Sequence, residues 1–140
     1  MITSTVSEQG TVDRLVDEHF AAEVNQDLAA LLATFADEVE HDVVGSPASS
    51  HGKAQVEAFY RTLFSELRFE SIDNVRRYHG PGFVVDESVV HARATGRPFG
   101  FDGNDRAVTF RLLHVFEIVN GQIRRENAWI DTAAVVAQLG

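Results

Sequence analysis

Three polar residues near the end of the chain are spaced so that one β-hairpin could present them to an apolar pocket. They are His114, Asn127 and Asp131, within the segment 108–131. Imidazole and carboxylate groups are the side chains that most often take up and return protons during catalysis. The pattern therefore predicts a pocket in which protons are moved, provided that the hairpin forms.

The dipeptide Asn120-Gly121 predicts that hairpin, because it readily places both central residues of a type I′ turn at positive φ. A two-residue loop would set Val119 opposite Gln122 and His114 opposite Asn127. One face then mixes large apolar side chains with polar ones, as pocket linings do. Its predicted members are Phe110, Leu112, His114, Phe116, Ile118, Ile123, Arg125, Asn127, Trp129 and Asp131.

A fourth ionisable candidate, His19, falls on a predicted amphipathic helix. Apolar residues recur every three or four positions from Val12 onward, which places His19 on the buried face. Thr11 is the predicted N-cap of this helix. Residues 1–10 show no periodicity and are predicted to form a frayed lead-in.

A fifth candidate, Asp42, lies in a short β-branched segment at 39–44, which predicts a strand ending before Gly45-Ser46-Pro47. Successive side chains of a strand point to opposite faces, so only one of His41 and Asp42 can face inward.

The remaining segments predict an α+β fold. Asp27 can cap a second helix, and a third carries Val56, Phe59, Tyr60, Leu63 and Phe64 on one stripe. Strands are predicted at about 69–78, 83–97 and 106–119, with a last helical turn or two after Asp131. The expected architecture is a single domain, 1–140, with three helices on a strongly curved, mostly antiparallel sheet of five or six strands that encloses a pocket.

Composition limits the classes of partner. The 140 residues carry a net charge of -9, which argues against nucleic-acid binding, and no apolar run approaches the roughly 20 residues of a membrane span. No signal peptide is visible, so a cytoplasmic protein is expected. There are no cysteines, and the six histidines lack an HExxH-type spacing, so neither a metal nor another cofactor is expected. Ligation of a metal by Asp and His residues from separate strands stays open as an alternative.

Apolar residues on the other face of the hairpin predict self-association. Leu113, Val115 and Val119 would be too many to leave wet, which predicts a homodimer formed through the outer face of the sheet.

The chain resembles the nuclear transport factor 2-like superfamily, and within it the ketosteroid isomerases and the SnoaL-like polyketide cyclases. The resemblance spans nearly the whole chain and is carried by NQDLAALLATFADEVEHDVVGSP, HGKAQVEAFYRTLF, HVFEIVNGQI and the terminal NAWID. It implies a cone of helices and bent sheet around an apolar pocket. The functions of this superfamily are mixed, so the fold does not decide the reaction.

The isomerase resemblance implies a role for three of the candidates. Asp42 falls at the carboxylate that shuttles a proton between two carbons. His19 and His114 replace the tyrosine and the protonated aspartic acid that form the family's oxyanion hole. Two histidines in one apolar pocket should both be neutral near pH 7, with the pKa of at least one below about 6.5.

The cyclase resemblance implies that Asp131 is an acid/base group. The expected substrate is a small hydrophobic or polycyclic molecule, contacted by Phe59, Tyr60, Phe116, Asn127 and Trp129. Three functions stay open: a cofactor-independent isomerase of the ketosteroid type, a polyketide (aldol) cyclase or dehydratase, and a non-catalytic binding module. Structural roles compete as well, since His114 could pair with Asn127 and Asp131 could merely cap a helix.

Overall fold

The computed structural model describes residues 2–45 and 49–140, with side chains from residue 8 onward. Its helices are α1 (Ile2–Val24), α2 (Leu28–Ala33), α3 (Gly52–Glu66) and α4 (Thr132–Leu139). Its strands are β1 (Phe35–Val43), β2 (Ser49–His51), β3 (Arg68–Gly80), β4 (Phe83–Ala94), β5 (Arg106–Val119) and β6 (Gln122–Ile130). A short 3₁₀ turn, Pro98–Gly100, follows β4. None of the described helices is long and apolar enough to cross a membrane.

The six strands form one curled, unclosed sheet in the order β2-β1-β6-β5-β4-β3. All neighbouring pairs are antiparallel except β1 and β6, which run parallel. The predicted α+β class and the curved, mostly antiparallel sheet are confirmed. The helix count differs: α4 is a full helix, so the described residues form four α-helices rather than three.

Helix α1 also differs from its prediction, because it begins at Ile2 and not after Thr11. Residues 2–10 contain no proline to stop a helix, so α1 extends through the segment that lacks apolar periodicity. The cap of α2 is confirmed: Asp27 accepts a hydrogen bond from the backbone N–H of Ala30 at 3.1 Å. Ser46 and Pro47, in the predicted break after β1, lie outside the described residues.

The predicted hairpin forms, but its register shifts by one residue. Asn120 and Gly121 have φ of 53° and 73°, as a type I′ turn requires. Between the pairs Ile118–Ile123 and Glu117–Arg125 the register slips, leaving one extra residue on β6. This is a β-bulge, and every residue of β6 beyond it points to the opposite face from the one predicted.

An ion-pair network fastens α1 to the sheet. Arg77 of β3 donates to Asp86 at 2.8 Å, to Asp13 at 3.1 Å and to Asp17 at 2.9 Å. Asp86 is fully buried on β4, where it also accepts from Asn74 and Ser88. Arg77 therefore neutralises a buried carboxylate while it binds the helix.

We predict that Arg77→Met lowers the free energy of unfolding by roughly 3–5 kcal/mol, because it leaves the Asp86 carboxylate buried without its cation. Arg61→Met is the matched control. It removes only an exposed pair with Glu57, and such pairs contribute about 0.3–0.5 kcal/mol. Urea denaturation of both variants measures the difference, and equal losses would contradict the assignment.

Candidate functional site

A small cavity lies on the concave side of the sheet, and its floor is polar. The cavity measures about 30 Å³ and opens beside a larger pocket of about 180 Å³. Both are lined by Val43, Phe59, Leu63, Leu67 and Ile130, with Pro98 and Phe99 added in the larger one. The polar floor is formed by Glu23, His41, Tyr60, His114 and Glu126.

Five elements bring the floor residues together, and β5 supplies His114. His19 and Glu23 lie one turn apart on α1, and this spacing puts both on the face that packs inward. On β1 and β6 the paired residues His41 and Glu126 share the concave face of the sheet. Tyr60 reaches the same point from α3.

One oxygen of the Glu126 carboxylate lies close to three side chains. Oε2 lies 2.7 Å from Nε2 of His41, and it accepts a hydrogen bond from the Tyr60 hydroxyl at 3.0 Å. Nε2 of His114 is 3.7 Å away, at the edge of direct contact. Because Glu126 is 1% exposed, these contacts act in a medium of low polarity, where charge interactions are strong.

The other oxygen, Oε1, lies against His19. Nε2 of His19 is 2.9 Å from Oε1 of Glu126 and 2.9 Å from Oε1 of Glu23. On the opposite side of the ring, Nδ1 is 3.1 Å from Oγ1 of Thr34, whose hydroxyl donates to the Leu31 carbonyl. The Thr34 oxygen must therefore accept, which places one ring proton of His19 on Nδ1.

These contacts shift the pKa values of the buried groups. Burial alone would lower the pKa of His19, but the charges of Glu126 and Glu23 outweigh it and raise that pKa to about 10. The same balance raises the pKa of His41, and the two imidazolium groups hold the pKa of Glu126 well below its usual range. Burial raises the pKa of Tyr60 well above its ordinary value, so this hydroxyl stays protonated.

His114 responds in the opposite direction. Its pKa is lowered, mainly because burial penalises the charged ring and Glu126 compensates only in part. The ring stacks on Phe116 with centroids 4.9 Å apart, and its Nδ1 atom is buried without a hydrogen-bond partner. The expectation that both histidines are neutral thus holds for His114 and is wrong for His19, because two carboxylates flank His19.

Asp42 is not in the pocket. Its side chain is on the outer face of the sheet, 3.4 Å from the Arg125 guanidinium, which also contacts Glu40. His41 is the member of this pair that faces inward. The prediction that Asp42 faces the pocket is therefore wrong, because the alternation along β1 turns it away.

Asn127 and Trp129 are also on the outer face. The bulge pairs Asn127 with Val115 and Trp129 with Leu113, whereas the predicted register set Asn127 opposite His114. Trp129 is 38% exposed. Neither residue lines the cavity, so the prediction that they contact a ligand there is wrong, and so is the predicted pairing of Asn127 with His114.

Asp131 follows β6 and caps α4. Its carboxylate accepts a hydrogen bond from the backbone N–H of Ala134 at 3.2 Å, which is the helix-capping role that the sequence left open. The side chain is exposed and does not line the cavity. Among the predicted contact residues, Phe59 and Tyr60 line the cavity, while Phe116 packs in the core beneath His114.

Glu23 and Glu126 were missed by the sequence reasoning. Glu23 carries a signal that could have found it, since it follows His19 by one helical turn on the same stripe. The sequence gives no comparable signal for Glu126, because a two-residue turn without a bulge places it on the opposite face of the hairpin.

His19, Glu23 and Glu126 also provide donor atoms that could hold a metal ion. One nitrogen and two carboxylate oxygens lie within 4.8 Å of one another, and all three residues are buried.

The chain belongs to the SnoaL-like polyketide cyclase family, whose model matches residues 12–139. One relative, the nogalonic acid methyl ester cyclase of Streptomyces nogalater, is 32% identical over 103 residues, which are 73% of this chain and 72% of that protein.

Solved structures confirm the fold. TsrD from Streptomyces laurentii superposes with a TM-score of 0.81 at 21% identity, over 94% of this chain and 96% of that one. A protein of ketosteroid isomerase-like fold from Catenulispora acidiphila superposes with a TM-score of 0.76 at 16% identity, over 90% and 92% of the two chains. These identities show a shared cone fold and leave the reaction open.

The raised pKa of His19 predicts how stability depends on pH in chelator-treated protein. Its folded pKa of about 10 is above the unfolded value near 6.5, so its contribution is complete below pH 6.5 and is lost as the pH rises through 10. Urea denaturation across this range should show a falling free energy of unfolding. His91→Gln, an exposed control, should keep the slope, and His19→Gln should flatten it. A flat profile in the unmodified protein would contradict the assignment.

Proposed function

We propose that the chain is a cofactor-independent enzyme that closes a ring in a polyketide-type carbonyl compound by aldol addition. The observation that carries this proposal is the neutral, buried His114 beside the Glu126 carboxylate at the floor of an apolar pocket. Membership of the polyketide cyclase family and the similarity to a cyclase that acts on a polyketide ester support the choice of substrate class.

His114 is the proposed base. A histidine of lowered pKa is unprotonated at neutral pH, so its free Nδ1 can take a proton from the carbon beside a substrate carbonyl. The imidazolium that forms lies next to Glu126, and the carboxylate stabilises it.

Tyr60 and His41 are the proposed donors to the enolate oxygen. Both contact Oε2 of Glu126, and their side chains line the cavity. The pKa of Tyr60 is raised well above its ordinary value and that of His41 is also raised, and both shifts favour the protonated form that can donate. A substrate oxygen that reaches the floor can take over one of these hydrogen bonds as negative charge develops on it.

The reaction is balanced without an oxidant or a metal. His114 removes a proton from carbon, the resulting enolate carbon attacks a second carbonyl carbon of the same molecule, and a C–C bond forms. The second carbonyl oxygen becomes an alkoxide, and the protonated His114 returns the proton to it. Product and substrate therefore have the same mass, unless one water is then lost in a dehydration.

The pocket favours a flat apolar substrate. Its walls are mainly aliphatic and aromatic, with Phe59 and Phe99 among them, and Thr62 and Glu66 are the polar exceptions. At about 180 Å³ the outer pocket is smaller than the roughly 300–1,000 Å³ of typical ligand pockets, so a polycyclic substrate requires side chains at the mouth to move.

The cyclase is preferred to a ketosteroid-type isomerase for a structural reason. That isomerase was expected to use Asp42, and the outer-face position of Asp42 removes its base from the pocket. A non-catalytic binding module needs no base and is separated from the cyclase by turnover alone.

Turnover of nogalonic acid methyl ester and of smaller β-keto esters, followed by liquid chromatography and mass spectrometry, tests the proposal. We expect an isomeric, ring-closed product. His114→Gln should lower kcat by about 10²–10⁴-fold, the usual contribution of a general base, while affinity for a phenolic product analogue is retained. Asp42→Asn should leave kcat unchanged.

Two outcomes would contradict the proposal. Tight binding of the analogue without turnover of any substrate would favour a binding module. A collapse of kcat in Asp42→Asn with normal activity in His114→Gln would return the base to Asp42. Circular dichroism spectra of both variants confirm that loss of rate is not loss of fold.

We also propose that the chain forms a homodimer through the outer face of the sheet. Leu113, Val119 and Trp129 are 36%, 46% and 38% exposed there, and they form an apolar surface on adjacent strands. Light scattering after size-exclusion chromatography should give twice 15.5 kDa, and Trp129→Glu should give a monomer. A monomer in the unmodified protein would refute the dimer.

A further inference from the structure

We infer that His19, Glu23 and Glu126 form a binding site for one divalent transition-metal ion behind the floor of the pocket. Within the described part of the chain, this is the group whose donor atoms lie close enough together to share an ion. The site goes beyond the proposed cyclase and shares only Glu126 with its proton-transfer groups.

The contacts of the Nε2 atom of His19 carry the inference. Nε2 is 2.9 Å from a carboxylate oxygen of Glu23 and 2.9 Å from one of Glu126, although no hydrogen bond of good geometry joins it to either. The nitrogen and the two oxygens lie within 4.8 Å of one another, so one ion could bind all three.

The Glu126 oxygen is also unsatisfied. Its Oε1 is buried and has no hydrogen-bond partner, although buried polar atoms normally have one. Nε2 of His19 and Oε1 of Glu126 are therefore buried 2.9 Å apart, and neither has a hydrogen bond. A metal ion that displaces the Nε2 proton would bind both atoms at once.

The surroundings orient His19 as metal-binding histidines are oriented. Such rings usually donate their second N–H to a protein oxygen, which leaves the other nitrogen as the ligand. Here Nδ1 donates to Thr34, and the Thr34 hydroxyl is itself held by the Leu31 carbonyl. His41 similarly holds the second oxygen of Glu126 at 2.7 Å.

The donor set identifies the class of ion. One imidazole and two carboxylates suit Zn²⁺, Mn²⁺, Fe²⁺ or Co²⁺, whereas Mg²⁺ and Ca²⁺ prefer oxygen ligands alone. The two carboxylates balance the charge of a divalent ion. No sequence motif predicts the site, because Glu126 follows Glu23 by more than a hundred residues. The two residues come together only in the folded chain.

Glu126 is shared between this site and the proposed reaction. Its Oε2 atom contacts Tyr60 and His41 on the pocket side, while Oε1 faces His19. Ion binding is titrated without substrate and turnover is measured in chelator-treated protein, so failure of the metal site is distinguishable from failure of the proposed reaction.

Isothermal titration of chelator-treated, untagged protein with ZnCl₂ and with CoCl₂ tests the site. We expect one ion per chain. Glu23→Gln keeps the shape of the side chain but removes a charged ligand, and it should weaken binding by more than ten-fold. Thr34→Val removes only the group that orients His19, and it should weaken binding about 10–100-fold.

The exposed pair of His91 and Asp73, 3.3 Å apart, supplies the matched control. Binding in the double variant His91→Gln/Asp73→Asn should equal that of the unmodified protein. The inference is overturned if the unmodified protein binds no ion stoichiometrically, or if binding survives Glu23→Gln and disappears in the control variant.

A measurement on the unmodified protein covers the case in which Glu23→Gln does not fold. Nitrogen NMR of the imidazole side chains should show the Nε2 signal of His19 shifting on addition of Zn²⁺, while the signals of the exposed His51 and His91 stay in place. Shifts confined to the exposed histidines would refute the site.

Discussion

Burial of the Glu126 carboxylate determines which side chains must surround it in the interior. An isolated carboxylate in an apolar core costs several kcal/mol, so the fold must surround it with cations and donors. Helix α1 supplies His19, strand β1 supplies His41 and helix α3 supplies the Tyr60 hydroxyl. Each of these elements is held to the sheet in part through this one residue. The same burial lets Glu126 hold His41 protonated while His114, farther from it, is neutral.

The arrangement separates two tasks within a few ångströms. The residues against Glu126 keep their protons and are fixed by short contacts, whereas His114 is stacked on Phe116 and its Nδ1 atom has no hydrogen-bond partner. A histidine must be unprotonated before it acts as a base, and a group that stabilises an oxyanion must keep its proton. Among the three buried histidines, distance from the Glu126 carboxylate provides both conditions.

Much of the fold could be predicted from the sequence, because it follows from local patterns. Asp27 marks the start of α2, Asn120-Gly121 marks the hairpin, and period-two alternation marks β3 to β5. The site was harder to predict because it depends on which of two successive strand residues faces inward. His41 and Asp42 differ by one residue and face opposite sides, and no local signal chooses between them. His19 and His114 were placed correctly inside, but the charge of His19 depends on Glu126, which the predicted register put outside.

The bulge on β6 has a consequence for comparisons among related chains. It adds one residue between the turn and Glu126. A hairpin of similar sequence that lacks the bulge would therefore turn the opposite set of β6 side chains toward the interior. Matching two such hairpins residue by residue from the turn would compare a pocket residue of one protein with a surface residue of the other. Loss or gain of this single residue is thus a short evolutionary route by which one scaffold can exchange its interior chemistry while its turn and topology are kept.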